Sequence, residues 1–313
     1  MTDLYDEAAA VPGILRGSRA NARYDAARRA AATPARLRWA LAKGRVTHPF
    51  RDAYVLGSGE PDLLDLIRAA MLVVPRSAVV SHHTATTLYG FGVVDTDSIH
   101  VTVPAGAAVP QRRGIVAHES ALRTDAVVNV FGVPCLPPAR CAVDLARRLP
   151  RPDALAVLDA ALHAGASTLD DLAAEADRHA RLRGVRQARD LVRLATPLAD
   201  CRQESHLRLV LHDGRLPAPR PQLVVVDEWG VERCRIDLAY DEERVGVEYD
   251  GTSHLRRGRL RTDRRRHNWL AERGWRMRYF TGFDLYRQPV VVVDTVRAAL
   301  SSRRSRTFAW IKE

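Results

Sequence analysis

Alternation of apolar and polar positions predicts two adjacent strands in the last third of the chain. Residues 235–240 and 245–250 each alternate in this way, and the polar segment 241–244 between them has the composition of a turn. Because side chains two apart in a strand project to the same face, we expect Glu248 and Asp250 to lie side by side. Further elements are predicted around this pair: helices at 201–213, 260–273 and 290–301, and strands at 223–226 and 275–280.

The first two thirds mix helical and extended patterns. Residues 1–32 combine alanine and arginine without an apolar stripe, which favours a short helix or a partly disordered arm. We therefore expect an α+β N-terminal part and an α/β C-terminal part with a mixed central sheet flanked by helices. Helices are predicted at 35–42, 63–74, 81–89, 153–164, 168–181, 185–194 and from 138 onward, and strands at 45–48, 52–56, 99–103, 114–118 and 127–133.

The positive charge is concentrated in the last third. The whole chain carries +11, and residues 201–313 hold 22 arginines and 1 lysine against 16 acidic residues, an excess of +7. Such a basic region is the electrostatic footprint of nucleic-acid binding. A GC-rich genome is the alternative source of the arginine excess, because lysine occurs only at Lys43 and Lys312 and alanine is abundant.

Composition indicates a cytoplasmic protein with real cores. Hydrophobic residues make up 46% of the chain, yet no apolar run reaches the roughly 18 residues that predict a membrane span. The start MTDLYDEAAA lacks the basic residues and the apolar stretch of a signal peptide. Zinc-type spacing is missing from the cysteines, which favours reduced, buried thiols at Cys135, Cys141, Cys201 and Cys234.

Carboxylates near the ends of the two predicted strands suggest a cation site. Asp237, Glu248 and Asp250 lie there, and Glu204 lies in the first turns of the preceding helix. Crowded carboxylates repel each other unless a cation or a proton sits between them, and Mg²⁺ prefers all-oxygen ligands. The alternative is a solvated strand edge with ordinary surface acids.

A basic segment follows the acids directly. Residues 256–266 contain seven arginines. Phosphodiester hydrolysis needs both features, since a metal activates water and arginines hold the phosphate backbone. The other interpretation is a solvated loop. Candidate phosphate contacts are Arg256, Arg257, Arg259, Arg261 and Arg265.

The ordered set of residues resembles the PD-(D/E)XK nuclease superfamily, in the branch similar to the very-short-patch mismatch-repair endonuclease. The resemblance covers roughly residues 199–300. The matching features are Glu204 in the leading helix, Asp237 in IDLAY, VEYDG at 247–251 followed by His254, Asp263 and Arg266 as D-x-x-R, and GWRMRYF at 274–280.

This resemblance implies a restriction-endonuclease-like domain that hydrolyses DNA phosphodiester bonds with Mg²⁺ or Mn²⁺. It implies metal ligands at Asp237, Glu248, the backbone carbonyl of Tyr249 and Glu204. It implies catalytic roles for Glu204, Asp237, Glu248, Asp250 and His254, and it favours Arg266 for packing or for pairing with an acid.

One position departs from the superfamily pattern. The lysine that stands two residues after the second acid is Asp250 here. An aspartate cannot orient the attacking water as a cation does, so His254 or a second metal would have to substitute. For His254 the alternative is a loop histidine that caps the next helix.

Two central motifs resemble the AbiEi-like antitoxin and regulator family. They are SHHTATTLYG at 81–90 and PPARCAVDLAR at 137–147. AKGRVTHPFRDAYVL at 42–56 is similar to the wing of that family's winged helix, although a small helical cap without a DNA role is the alternative. His82 and His83 invite a metal site, but neighbouring helical residues point about 100° apart, which favours structural histidines.

Together these patterns leave two functions open. The first is a metal-dependent DNA endonuclease in repair or phage defence, and the second is a DNA-binding AbiEi-type regulator or antitoxin whose nuclease-like domain does not cut. DNA is the expected partner in both cases, with a cognate toxin in the second. The expected regions are an arm with a winged-helix-like part at 1–60, an AbiEi-like part at 61–150, a helical connector at 151–197 and a nuclease-like domain at 198–313.

Overall fold

The computed structural model describes residues 20–23, 34–57, 59–94, 96–108, 111–120, 126–251 and 259–308. These residues form a mixed α/β structure with three sheets and 11 helices, in agreement with the expected fold class. The helices are α1 (Pro34–Ala42), α2 (Leu63–Met71), α3 (His82–Leu88), α4 (Pro138–Ala146), α5 (Arg151–His163), α6 (Leu169–Arg178), α7 (Val185–Leu194), α8 (Arg202–Asp213), α9 (Arg259–Glu272), α10 (Gly282–Arg287) and α11 (Pro289–Phe308). The strands are β1 (Ala20–Arg23), β2 (Val46–Phe50), β3 (Ala53–Leu56), β4 (Val79–Val80), β5 (Ile99–Pro104), β6 (Ile115–Ser120), β7 (Val128–Val130), β8 (Val133–Cys135), β9 (Arg220–Val226), β10 (Glu232–Tyr240), β11 (Val245–Tyr249) and β12 (Arg276–Phe280).

Contacts divide the chain into two compact units. Unit 1 comprises the described residues up to 149 together with 164–192, and unit 2 comprises 150–163 together with the described residues from 193 onward. The predicted helical connector contributes α5 to unit 2, and α6 and α7 to unit 1. Within the described residues, no helix combines the length and the apolar character needed to cross a membrane.

A three-stranded sheet with order β1-β3-β2 begins unit 1. The predicted hairpin is present as β2 and β3, which pair antiparallel. The expectation of a helix or a disordered arm for residues 1–32 is wrong at β1, where Ala20 pairs with Leu56. This strand has only four residues and its apolar positions are two alanines, so it depends on its partner strand rather than on a strong local pattern.

A five-stranded sheet with order β6-β5-β4-β8-β7 completes unit 1. The single strand predicted at 127–133 is wrong, because the chain turns back at Phe131 and Gly132 and forms the hairpin β7–β8. Both turn residues have positive φ, at 52° and 78°, as a two-residue hairpin requires. The core beneath the sheet includes the fully buried Ile67, Val80 and Val101.

Unit 2 is built on a four-stranded sheet with order β12-β11-β10-β9. Strands β11 and β12 run parallel and the other pairs antiparallel, so the predicted mixed sheet is confirmed. One face packs against α8 and α11 through Leu207 and Val296, and the other face packs against α9 through Leu270. Helix α10 was not predicted; Thr281 and Asp284 form its capping box.

Candidate functional site

Asp237 of β10 and Glu248 of β11 lie on neighbouring strands of unit 2, as predicted. The antiparallel register pairs Leu238 with Val247, and one further step along both strands sets Asp237 against Glu248. The backbone N–H of Tyr249 donates to Asp237 Oδ2 at 3.2 Å. Residues directly opposite in such a pair are close enough for their side chains to interact, so the two acids belong to one site.

The regular alternation of β10 breaks at Asp237. Ile236 packs in the core under α9, whereas Leu238, two residues on, packs in the core under α8. The flanking register pairs place Asp237 across from Gln222, whose φ is 50°. A non-glycine residue in this conformation is uncommon and is often found where a strand re-aims a side chain.

Gln222 is a site residue that the sequence pattern did not indicate. Its Nε2 donates to Glu204 Oε2 at 2.8 Å, which links β9 to the first turn of α8. The backbone N–H of Asp200 donates to the same oxygen at 3.0 Å, and the Cys201 thiol donates to Oε1 at 3.4 Å. The only local signal at Gln222 is a polar residue preceding an apolar run, which is common in edge strands.

Burial raises the pKa of Glu204, although the donors around it favour the charged form. Its carboxylate is 8% exposed and is held by a helix on one side and a strand on the other. Glu204 is therefore placed at the acid pair, as the sequence pattern suggested.

Asp237 has the most perturbed carboxyl group of the site. Burial is the largest cause, and with the negative charges of Glu204 and Glu248 it raises the pKa of Asp237 from the ordinary 3.8 to about 7. The bond from the Tyr249 amide and the charge of Arg266 act in the opposite sense. Asp237 on β10 thus lies within reach of the charges of Glu204 on α8 and Glu248 on β11.

Arg266 of α9 neutralises one of these acids. Its Nη1 donates to Glu248 Oε2 at 3.0 Å and its Nη2 donates to Oε1, so the guanidinium binds both carboxylate oxygens. Nη2 also donates to the backbone carbonyl of Arg235 at 2.7 Å. Burial opposes the arginine's charge, but the bonds and the charge of Glu248 outweigh it, and the pKa of Arg266 rises. Pairing with an acid is one of the two roles expected for Arg266.

As they stand, the acids do not fit a bound metal ion. Both oxygens of Glu248 accept from Arg266, and both oxygens of Glu204 accept from protein donors. Among the described residues, no group of three His, Cys, Asp or Glu side chains could hold a metal. The charge of Glu248 is balanced by a guanidinium rather than by a metal cation.

The other predicted site residues are distributed around this cluster. Asp250 is exposed just past β11, and its backbone N–H donates to the Phe280 carbonyl at 2.8 Å. Arg265 is exposed on α9. His254, Arg256 and Arg257 lie outside the described residues, as do the side chains of Arg259, Arg261 and Asp263.

Comparison with known proteins assigns the family. Residues 77–196 match the model of the AbiEi antitoxin C-terminal domain. Two Mycobacterium tuberculosis proteins described as uncharacterized, Rv2248 of strain H37Rv and MT2308 of strain CDC 1551, are each 34% identical over 238 residues, covering 75% of this chain and 86% of theirs. The chain belongs to their family. The matched segment, residues 77–196, is called the AbiEi-type region below. It contains strands β4–β8 and helices α3–α7.

A buried ionic network organises the AbiEi-type region. Arg140 Nε donates to Asp144 Oδ2 at 2.7 Å, and Arg147 Nη1 donates to Asp144 Oδ1 at 2.8 Å. At the end of α6, His179 Nε2 lies 2.9 Å from Glu175 Oε1, and Glu175 also lies 3.7 Å from Arg140. The segment 137–147 is thus a structural motif that ties α4 to α6.

The histidines of the AbiEi-type region form a stack rather than a metal site. The rings of His82 and His118 are parallel within 17°, with centroids 3.7 Å apart. His100 Nδ1 lies 2.9 Å from His118 Nε2, and His82 Nδ1 lies 3.0 Å from Ser81 Oγ. The buried Nε2 of His82 has no hydrogen-bond partner among the described residues, so hydrogen bonds satisfy only one side of this ring.

Proposed function

We propose that the chain is a DNA-binding transcriptional regulator or antitoxin of the AbiEi type. The match of residues 77–196 to the AbiEi antitoxin C-terminal domain carries this proposal. The net charge of +11 supports it, because a basic surface attracts the phosphate backbone independently of sequence. A cognate toxin is the protein partner that such a domain implies.

The first sheet of unit 1 supports DNA contact by a winged-helix-like part. Helix α1 precedes the hairpin β2–β3, and the side chain of Arg51 at the hairpin turn is 88% exposed. Trp39 on α1 is 49% exposed, and the guanidinium of Arg45 lies 4.9 Å from its ring centre. An exposed arginine at a hairpin tip beside a helix can contact phosphates on either side of a DNA groove.

Unit 2 fits a nuclease-like domain that binds DNA without cutting it. Arg266 supplies the positive charge that the acid pair needs, and the position of the superfamily's lysine is Asp250. In this proposal the exposed Arg265 and the arginines from 256 to 261 contact the DNA backbone.

One observation favours a second candidate, a metal-dependent DNA endonuclease. Burial, together with the negative charges of Glu204 and Glu248, raises the pKa of Asp237 to about 7, and perturbed acids of this kind cluster at active sites. In that case Mg²⁺ or Mn²⁺ would be required, and Arg266 would have to release Glu248.

Two assays on the full chain separate these functions. In the first, a labelled DNA fragment from upstream of the chain's own gene is titrated against the wild type, Arg51→Ala and, as a control, the exposed Arg76→Ala. We expect sequence-preferring binding that only Arg51→Ala weakens. In the second, plasmid and single-stranded DNA are incubated with Mg²⁺ or Mn²⁺ and either the wild type or Asp237→Ala.

The regulator proposal expects intact DNA in every lane of the second assay. Cleavage by the wild type that Asp237→Ala abolishes would establish the endonuclease instead. Absence of preference for the upstream fragment over a scrambled fragment of equal length would contradict the regulator.

A further inference from the structure

A cavity of about 680 Å³ opens in unit 1, whereas the acid cluster belongs to unit 2. It is lined by the turn between β2 and β3 and by the residues just before β5 and just before β6. Pockets that bind small organic ligands have about this size, in the range of roughly 300–1,000 Å³.

The floor of the cavity is apolar and tightly built. Phe50 and Ile99 line it and are 7% and 5% exposed. Gly114 has φ 82°, and a Cβ at this position would lie 3.1 Å from the Phe50 ring. The glycine therefore allows the backbone to turn directly over the ring, and a larger residue would close or distort the floor.

Arg112 is fixed at the wall of the cavity. Its side chain is 17% exposed, its Nη1 donates to the Arg51 carbonyl at 2.7 Å, and the same nitrogen lies 3.6 Å from Asp52 Oδ2. Its Nε is buried and has no hydrogen-bond partner among the described residues. A guanidinium held in this way is already ordered, so contact with an anion in the cavity costs little further side-chain freedom.

The charges around the cavity favour an anion. Arg51, Arg112 and Arg113 line it against two acids, Asp52 and Asp97. Asp52 is engaged by Arg112 and, at 4.0 Å, by Arg51, so its charge orients the arginines. Planar guanidinium groups recognise phosphate oxygens in pairs, which makes a phosphate the best-matched anion.

The remaining polar groups indicate what the phosphate is attached to. Asp97 and Gln111 also line the cavity and are exposed, and they can accept from hydroxyl or amino groups. Together with the apolar floor, they suit a sugar and a flat ring. We propose that this cavity binds a small nucleotide, with the phosphate on Arg112 and Arg113. Such a ligand would act on unit 1 in addition to DNA, so the site goes beyond the proposed regulator function.

Isothermal titration of the full chain with adenosine monophosphate tests the site, with adenosine and inorganic phosphate as separate arms. We expect saturable binding of the nucleotide and weaker binding of either part. Arg113→Ala, a change at the exposed rim, should weaken nucleotide binding at least tenfold, whereas Arg76→Ala, outside the cavity, should not change it. Thermal unfolding of each variant in the absence of ligand confirms that it folds.

Three outcomes would overturn the site. Lack of saturable nucleotide binding is one, and equal binding by Arg113→Ala and the wild type is another. The third is displacement of the nucleotide by saturating duplex DNA together with loss of DNA binding in Arg113→Ala, which would assign the arginines to the DNA surface. If the chain binds the nucleotide but does not bind DNA, the regulator function is overturned. The assignment of the cavity as a nucleotide site then stands.

Discussion

Arg266 and Glu248 form a two-point ion pair between α9 and β11 at the centre of unit 2. Both terminal nitrogens of the guanidinium face the two carboxylate oxygens, and the side chains are 26% and 9% exposed. An ion pair at this depth is costly to break on one side only, since the remaining charge stays buried without compensation.

Removal of Arg266 alone should therefore be strongly destabilising. We expect Arg266→Ala to lower the free energy of unfolding by about 3–5 kcal/mol, because Glu248 would be left charged and buried. Urea unfolding monitored by circular dichroism measures this. Arg264→Ala is the matched control on the same helix, and its exposed side chain should change stability by no more than about 0.5 kcal/mol.

The double variant Glu248→Leu with Arg266→Leu distinguishes a buried charge from lost packing. If the unpaired carboxylate causes the loss, the double variant should be more stable than Arg266→Ala. A double variant as unstable as the single one would show that the pair matters through its shape and contacts with the Arg235 carbonyl.

Asp237 should make unit 2 less stable as the pH rises. Its pKa is raised from 3.8 to about 7 on folding, so the folded state holds the proton that the unfolded state has released between these values. The contribution of Asp237 to the free energy of unfolding is fully present below about pH 4. It is lost as the pH rises through 7, and the loss is at most about 4 kcal/mol. Asp237→Asn should remove the loss. Urea midpoints from pH 4 to 8, compared between the wild type and Asp237→Asn, give the difference, and parallel curves would contradict the raised pKa.

The stacked histidines should give unit 1 the opposite pH dependence. Burial lowers the pKa of His100 and of His118 from 6.5 to about 4, with nearby positive groups adding to the effect. Stability from these groups is therefore present above pH 6.5 and is lost as the pH falls through 4. Titration of the imidazole resonances by NMR measures both values directly. Midpoints near 6.5 would show that the rings are hydrated and not stacked.

Local patterns were sufficient for the elements that carry apolar alternation or caps. The pair β10–β11 follows from the alternation of its apolar residues, but the faces of β10 do not, because Ile236 and Leu238, two residues apart, pack in different cores on opposite faces of the sheet. The strand β12 and the helices on both faces also follow from local patterns, but the parallel pairing of β12 with β11 does not.

Contacts between distant segments could not be predicted from such patterns. Strand β1 exists through its pairing with β3, and Gln222 reaches Glu204 only because its backbone takes a φ of 50°. Arg266 could be assigned to an acid by resemblance, but its two bonds to Glu248, which argue against a metal, depend on how α9 lies over β11. These pairings and bonds depend on tertiary packing, and the neighbouring residues in the sequence carry no pattern that predicts them.

Two glycines of the AbiEi-type region offer a matched test of packing. Gly165 and Gly184 have φ of 64° and 80°, so alanine is strained at both. A Cβ at Gly165 would meet nothing within 4 Å, whereas a Cβ at Gly184 would collide with the backbone carbonyl of Arg147. We expect Gly165→Ala to cost about 1 kcal/mol and Gly184→Ala to cost roughly 1–3 kcal/mol more. Thermal unfolding compares them, and equal losses would mean that α4 moves freely away from Gly184.

The arginines that precede α9 should determine how steeply DNA binding depends on salt. Each phosphate contact releases about one counterion, so Arg256→Ala with Arg257→Ala should flatten the slope of log affinity against log salt by up to about two units. Arg265→Ala should flatten it by about one, since this side chain is exposed on the same basic segment. The exposed Arg193→Ala, outside that segment, serves as the control. Fluorescence anisotropy with a duplex at several salt concentrations gives the slopes. If all variants keep the wild-type slope, the basic segment faces solvent, and the DNA contacts of this protein must lie in unit 1.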